Sequence, residues 1–400
     1  MSRLWAAALL LAFTSRSAAA LTASSLEAKL GYFPESYDQS RDRFRAAVAA
    51  KANQGGGIMP PFAISNPAGE DLTIDHALFS RGGDRLLVVQ SGIHGSEAAS
   101  GAAVQMFLLD QHLDALLSRG IDVYLIHALN PWGFKHDRRT DHKNINLNRN
   151  FSIDGTVYLT PSPDYRRFRT IFEPTEPVSS DWINSFTGDA KLLANLVADG
   201  FSSRSIIDGL DNGQYEFPQG LNYGGREPAL QTGFLRGQLA ALLARPYKKV
   251  LFLDFHTGLG KAGILAVIKG KNPSPALMAE MSALLDQQDG IEISSAETPG
   301  FFATSGDVID FVPSLAPNPR QVLAVTMEYG TLGSDMLSQL KSAQRLILEN
   351  QNFFHGSASP SVEAAVKRNF AELFNPSDPG WRRKVMDRAN RVFSQLAGKF

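Results

Sequence analysis

Four short apolar runs constrain the fold of this 400-residue chain more than any other feature: Leu86 to Gln90, Val123 to Ala128, Val250 to Phe255 and Val322 to Met327. Each is near-continuously apolar, without the alternation of a half-exposed strand, so each is expected to be a strand buried on both faces. Stretches with helical spacing surround them: Asp38 to Ala52, in which Phe44 and Val48 lie four apart, Glu97 to Leu117, and Thr232 to Leu243. Strands alternating with helices in this way predict an α/β fold, a mixed, largely parallel central β-sheet flanked by helices.

The stretch from Ser152 to Gly225 departs from this pattern. It is rich in Pro, Gly, Ser and aromatics, and predicts a loop-rich insertion with short helices over one edge of the sheet. Ser359 to Phe400 has helical spacing and ends in a basic amphipathic segment, Arg382 to Lys399, whose charged face is expected to be solvated. No composition shift marks a linker, so residues 21–400 are expected to form a single domain.

Charge and cysteine usage exclude several classes. Lys and Arg number 39 against 40 Asp and Glu, a formal net charge of -1, which argues against a nucleic-acid partner. The chain has no cysteine, so disulfides, thiolate metal sites and a cysteine nucleophile are excluded, and any metal must sit on His, Asp or Glu. No Gly-x-Ser-x-Gly elbow is present, which disfavours a serine hydrolase. Residues 1–20 have the layout of a signal peptide: Arg3, an apolar run from Leu4 to Phe13, then Ala18-Ala19-Ala20. Export to the periplasm or the extracellular space is expected, with a buried N-terminal helix or a membrane anchor as the alternative because Arg16 lies in the cleavage region. No later apolar run reaches the roughly eighteen residues of a membrane span, so none is expected in the mature chain.

The chemistry-bearing residues cluster at the ends of the apolar runs. Leu86 to Gln90 leads into His94-Gly95-Ser96-Glu97, and Val250 to Phe255 ends in His256-Thr257-Gly258. Imidazole and carboxylate are both zinc ligands, and a catalytic zinc takes three protein ligands and leaves one position open. Taken singly, each of these residues also fits a structural role: a loop His, a helix-starting Glu, a His at a strand tip. The fourth run ends at Met327-Glu328-Tyr329, and an acid at the tip of a hydrophobic strand is costly unless solvated, paired or functional. Open α/β sheets bind ligands at the carboxyl ends of their strands. The segment Asn130-Pro131-Trp132-Gly133-Phe134 is followed by Arg138-Arg139 and by Asn146-Leu147-Asn148-Arg149-Asn150-Phe151. Asn148 and Arg149 could hold a carboxylate and Arg139 could face an oxyanion, although composition alone also describes a solvated, charge-rich loop.

This ordered set, from about Phe33 to near the C-terminus, resembles the zinc carboxypeptidase superfamily, the group that includes carboxypeptidase A. Within it the chain is most similar to a DUF2817-like branch, related to succinylglutamate desuccinylase and aspartoacylase. The resemblance implies a zinc-carboxypeptidase-like fold and one zinc ion held by His94, Glu97 and His256. It implies Glu328 as general base, Arg139 as oxyanion stabiliser, and Asn148 and Arg149 as the clamp on a substrate carboxylate. Arg139 is preferred to Arg138 because it lies nine positions before Asn148, as in bacterial relatives. Ile309 falls where the family sets side-chain preference and implies an apolar pocket base.

Three positions depart from the pattern. Asn146 stands where the family usually has an Asp bonded to a zinc His. Phe302 stands where carboxypeptidases carry a mobile Tyr, and Ser96 where pancreatic enzymes have Arg. The expectation is a zinc-dependent amide hydrolase, foremost a metallocarboxypeptidase acting on peptides. The alternatives are a deacylase of small N-acyl amino acids and a catalytically weak zinc- or ligand-binding protein.

Overall fold

All four apolar runs are strands, and they lie side by side at the centre of one sheet. The computed structural model describes residues 27–183, 212–271, 275–285, 287, 290–295 and 304–400; the expected signal peptide at 1–20 and Phe302 lie outside the described residues. The strands are β1 (Gly56–Ile58), β2 (Phe62–Ala63), β3 (Thr73–Phe79), β4 (Arg85–Ser91), β5 (Ile121–His127), β6 (Lys249–Gly258), β7 (Leu265–Lys269), β8 (Ile291–Ser295) and β9 (Val322–Gly330). Their order is β1-β3-β5-β4-β6-β9-β7-β8, with β2 paired to β3. β5, β4, β6 and β9 form a parallel block. β3 and β7 flank it in antiparallel sense. The sheet is therefore mixed with a parallel centre, as the apolar runs require.

Of the flanking strands, β3 carries polar residues that mask it in the sequence. β3 buries Asp75, bonded to Arg45 at 2.8 Å, and His76, which meets the Tyr124 hydroxyl at 2.8 Å. Lys248 and Lys249 precede and open β6, an interior strand between β4 and β9. Both extend to solvent at its N-terminal end and pair with Asp84 and Glu280.

Successive side chains on these strands point to opposite faces. Leu87, Val89, Leu251, Leu253, Phe255, Val325 and Met327 pack into a core with the helices Ala98–Gln111 and Pro379–Lys399. Leu86, Val88, Val250, Phe252, Val322 and Ala324 face the other way, toward the helix Leu230–Leu243. On this second face the apolar ladder stops halfway. Gln90, Asp254 and Thr326 form the next row in register, and His256 then lies opposite Glu328. The carboxyl-end half of one sheet face is thus polar while the half beneath it is oil.

The helical stretches are more segmented than periodicity predicts. Glu97 to Leu117 is a 3₁₀ turn (Gly95–Glu97), a helix (Ala98–Gln111), a break at His112, and a second helix (Leu113–Ser118). The C-terminal region is two helices, Pro360–Phe374 and Pro379–Lys399, parted where Pro376 and Pro379 interrupt the chain. In the described part of the insertion, Tyr165, Phe168, Phe172 and Leu221 pack on Ile347 of the helix Met336–His355, not on a strand. Among the described residues, no helix is long and apolar enough to cross a membrane.

Candidate metal centre and catalytic cleft

The chain leaves β4 toward β5 on one side and returns to β6 on the other, so the loops beyond the strand tips diverge and open a crevice. Past Ser91 the backbone turns at Gly92 (φ 68°) and presents His94 at the start of the turn Gly95–Glu97. Gly95 is obligatory for a steric reason: a Cβ there would lie 1.9 Å from the carbonyl carbon of Gly133. The segment Pro131–Lys135 is a short helix, capped by Asn130 accepting from the Gly133 N–H at 2.9 Å, and it buttresses the His94 turn. The Ser96 N–H also donates to the Arg138 carbonyl at 3.0 Å.

Three side chains from two strand ends meet here. His94 Nδ1 lies 2.8 Å from Glu97 Oε1, and His256 Nδ1 lies 3.1 Å from Glu97 Oε2. Their candidate ligand atoms all lie within 4.8 Å of one another, and all three residues are buried. The outer ring nitrogens are engaged. His94 Nε2 meets Asn146 Oδ1 at 3.0 Å, and His256 Nε2 meets the Asp254 carboxylate at 2.7 Å. A carboxylate or amide oxygen can only accept, so each Nε2 carries the hydrogen and each Nδ1 can present a lone pair inward. His94 Nδ1 is buried without a hydrogen-bond partner even though Glu97 is near. Two imidazole nitrogens and a carboxylate facing one point fit a tetrahedral zinc with its fourth position open.

The electrostatics hold two of the three groups in the form a metal ligand takes, His94 neutral and Glu97 ionised. Burial, helped by the Arg139 cation, pushes His94 down to about 3, so it is neutral. Burial alone would raise Glu97, but His94 and His256 hold its carboxyl well below the usual range. Burial alone would lower His256; Asp254 and Glu97 outweigh it and raise the imidazole well above its ordinary value. Glu328 lies opposite His256 in the parallel pairing, and burial with the neighbouring Glu97 charge pushes it up to about 7. The Leu259 N–H donates to Glu328 Oε1 at 2.8 Å.

The remaining expected residues line the same cleft: Arg139, Asn148, Arg149 and Ile309. Arg139 Nη1 donates to Glu97 Oε1 at 3.1 Å, while its Nε is buried without a hydrogen-bond partner. Arg138 points away, donating to both Glu349 oxygens at 2.8 Å beneath the Phe353 ring. The Asn148 amide is used largely by the protein: its Oδ1 accepts from the Val308 N–H at 3.0 Å, and its Nδ2 lies 3.3 Å from Asp307. His136 pairs with Glu70 and His142 lies against Trp132, so neither joins the triad.

Two contributors escape sequence reasoning. Asp254 is fully buried behind His256; an acid two residues before a strand-tip His, on the same face, is a signal that alternation could have supplied. Phe374 closes the cleft beside Arg139, its ring 5.4 Å from the guanidinium, and the Thr257 hydroxyl donates to its carbonyl. A residue more than a hundred positions away, at a helix end, offers no such signal.

Residues 33–388 match the model of a family described as "Protein of unknown function (DUF2817)". Comparison with curated proteins gave no match. Among solved structures, the chain is similar to carboxypeptidase A from Helicoverpa armigera (15% identity, 81% of this chain and 74% of that one, TM-score 0.45). It is similar to bovine thrombin-activatable fibrinolysis inhibitor (12% identity, 84% and 98%, TM-score 0.44). It is also similar to a succinylglutamate desuccinylase from Silicibacter sp. TM1040 (13% identity, 76% and 68%, TM-score 0.36).

Proposed function

The chain belongs to DUF2817, a family of proteins of unknown function, and from that premise we propose that it is a zinc-dependent amide hydrolase, foremost a metallocarboxypeptidase that removes the C-terminal residue of a peptide. The observation that carries this function is the convergence of His94, Glu97 and His256, with Glu328 in register beside His256. Bound there, zinc would supply Lewis-acid polarisation of the scissile carbonyl and make a water easier to deprotonate.

The protein's own groups do the rest. Glu328 takes the proton from the attacking water and passes it to the leaving amine. Leu259 occupies Oε1, so Oε2 is the oxygen left for the proton. A carboxyl pushed up to about 7 is poised to accept and return a proton near neutrality. Arg139 spends one donor on Glu97 and keeps its others for the developing oxyanion. Arg149 supplies the cation for the substrate carboxylate, while Asn148 is bonded mainly to the loop at Asp307 and Val308. Ile309 offers an apolar contact for the terminal side chain. We place the protein outside the cytoplasm, exported by residues 1–20.

One observation favours a second activity. Leu373 and Phe374 bring the end of the helix Pro360–Phe374 to the cleft wall beside Arg139, which suits a short acyl group. A deacylase of small N-acyl amino acids would use the same residues.

The test is metal analysis of the purified protein, with a screen of C-terminally free peptides, C-terminally blocked peptides and N-acyl amino acids, each with and without chelator. About one zinc per chain and chelator-sensitive cleavage of free C-termini are expected. Preference for acyl amino acids would select the deacylase. A protein that binds no metal and is unaffected by His94→Ala would overturn both.

A further inference from the structure

The two ligand imidazoles are held from behind by chemically different partners. His256 has a carboxylate: Asp254, fully buried, sits 2.7 Å from Nε2, and its other oxygen accepts from Gln90 Nε2 at 2.9 Å. His94 has an amide, Asn146, also fully buried, whose Oδ1 takes the imidazole hydrogen at 3.0 Å and the Asn148 N–H at 3.0 Å. An amide can do what a carboxylate cannot, namely donate. Asn146 Nδ2 donates to Asn222 Oδ1 at 2.7 Å. Asn222 lines the cleft together with Arg139 and Arg149. Its backbone is held at φ 51°, a left-handed conformation that costs free energy in any residue but glycine. Its carbonyl and that of the next residue, Tyr223, accept from the Gln214 and Asn146 backbone N–H groups.

We propose that Asp254 and Asn146 divide two positioning tasks: Asp254 is the anionic support that governs metal retention through His256, and Asn146 is an amide because it must hold Asn222 in the substrate cleft. This rests on the zinc-hydrolase function above. Orientation of a ligand imidazole by a carboxylate strengthens its bond to the metal, and loss of such a partner typically weakens affinity about 10–100-fold. Asn146 keeps the acceptor that orients His94 but spends its donor on the cleft wall. The site thereby retains one carboxylate behind its imidazoles and gains a fixed link between a ligand and the substrate pocket.

Two measurements on the full chain separate the tasks: the zinc dissociation constant by competition with a chromophoric chelator, and kcat and KM for benzoylglycyl-phenylalanine, a C-terminally free acylated dipeptide. Asp254→Asn is expected to weaken zinc about 10–100-fold while KM at saturating zinc stays within about two-fold. Asn146→Asp keeps the acceptor and loses the donor. It is expected to hold zinc at least as tightly as the wild type and to raise KM about five-fold or more. Asn222→Gly, which removes the side chain and tolerates the positive φ, should raise KM equally, and the two changes combined should raise it no further. If Asp254→Asn does not fold, Gln90→Leu, which frees one Asp254 oxygen, should weaken zinc about three-fold. Zinc affinity unchanged in Asp254→Asn, or in Gln90→Leu in its place, overturns the first half. An unchanged KM in Asn146→Asp, or a large loss of zinc there, overturns the second. A wild-type protein that binds no zinc overturns the hydrolase function itself, and one that binds zinc but leaves the dipeptide intact overturns the carboxypeptidase activity, failures distinguishable from those of the two variants.

Discussion

At the scale of single residues, burial and neighbouring charge move His256 and Glu328 away from the protonation water would give them. Glu328→Gln removes the proton acceptor but keeps the acceptor oxygen for the Leu259 N–H. It should lower kcat by about 10²–10⁴ and leave zinc stoichiometry unchanged by metal analysis; retained activity would reassign the base. On the proposed function, His256 would set the pH dependence of metal uptake. Its imidazole is raised well above the ordinary value by Asp254 and Glu97, against burial, so the metal-free protein holds a proton there that zinc must displace. The apparent zinc affinity should therefore fall about ten-fold per pH unit as pH drops below the raised pKa, measured by chelator competition from pH 8 to pH 5. An affinity flat across that range would mean that His256 is not a ligand. The proximity of His94, Glu97, His256 and Glu328 was legible in the sequence because strand tips carry them. Asp254 was passed over inside an apolar run, although strand alternation puts it on the same face as His256 two residues further on.

At the scale of elements, the loop that presents Arg139 is locked to the helix Met336–His355 through its neighbour. Arg138 and Glu349 form a bidentate pair with side chains 4% and 14% exposed, and Arg138 also donates to Asn144. Glu349→Ala leaves a buried guanidinium unpaired and should cost about 3–5 kcal/mol in urea unfolding. The double change Arg138→Met, Glu349→Leu should recover most of that loss. Asp141 organises the same loop, accepting from the Lys143 and Ile145 N–H groups at 2.9 and 2.8 Å. Burial nevertheless raises its carboxyl to about 6. The folded state binds the extra proton, so this group lowers stability as pH climbs from about 4 to about 6, and the penalty is constant above. Asp141→Asn keeps the acceptor and removes the penalty. Its stability gain over the wild type should grow across that window to about 3 kcal/mol at pH 7, from the two-unit shift, read by urea titration at pH 4, 5, 6 and 7. Periodicity could not separate Arg138 from Arg139, since only the three-dimensional partner tells the structural cation from the one in the cleft.

At the scale of the whole molecule, the parallel block was legible because strands buried on both faces must be apolar throughout. β3 was not, since its polar residues find partners only after folding, as Asp75 does with Arg45; β7 was not, since its apolar run of four, Leu265 to Ile268, is too short to tell a strand from a buried helix turn. The C-terminal helix Pro379–Lys399 belongs to the same core as β4 and β6, through Val385, Val392 and Phe393. Its Trp381 indole N–H donates to the Gly330 carbonyl at the end of β9. Phe393→Ala should cost about 3–5 kcal/mol and leave a single unfolding transition by circular dichroism and fluorescence together. A separate early transition for the helix would contradict the shared core.

The half-polar sheet face has one further consequence. Phe255 and His256 are adjacent on β6 and point to opposite sides, one into the core and one into the crevice. A slip of β6 by one position against β4 and β9 would trade them, driving an imidazole into oil and a benzyl ring into the reaction chamber. The error would be felt twice, as a lost core and a lost candidate ion site. Correct alignment of one strand is thus the common gate through which both solidity and reactivity must pass.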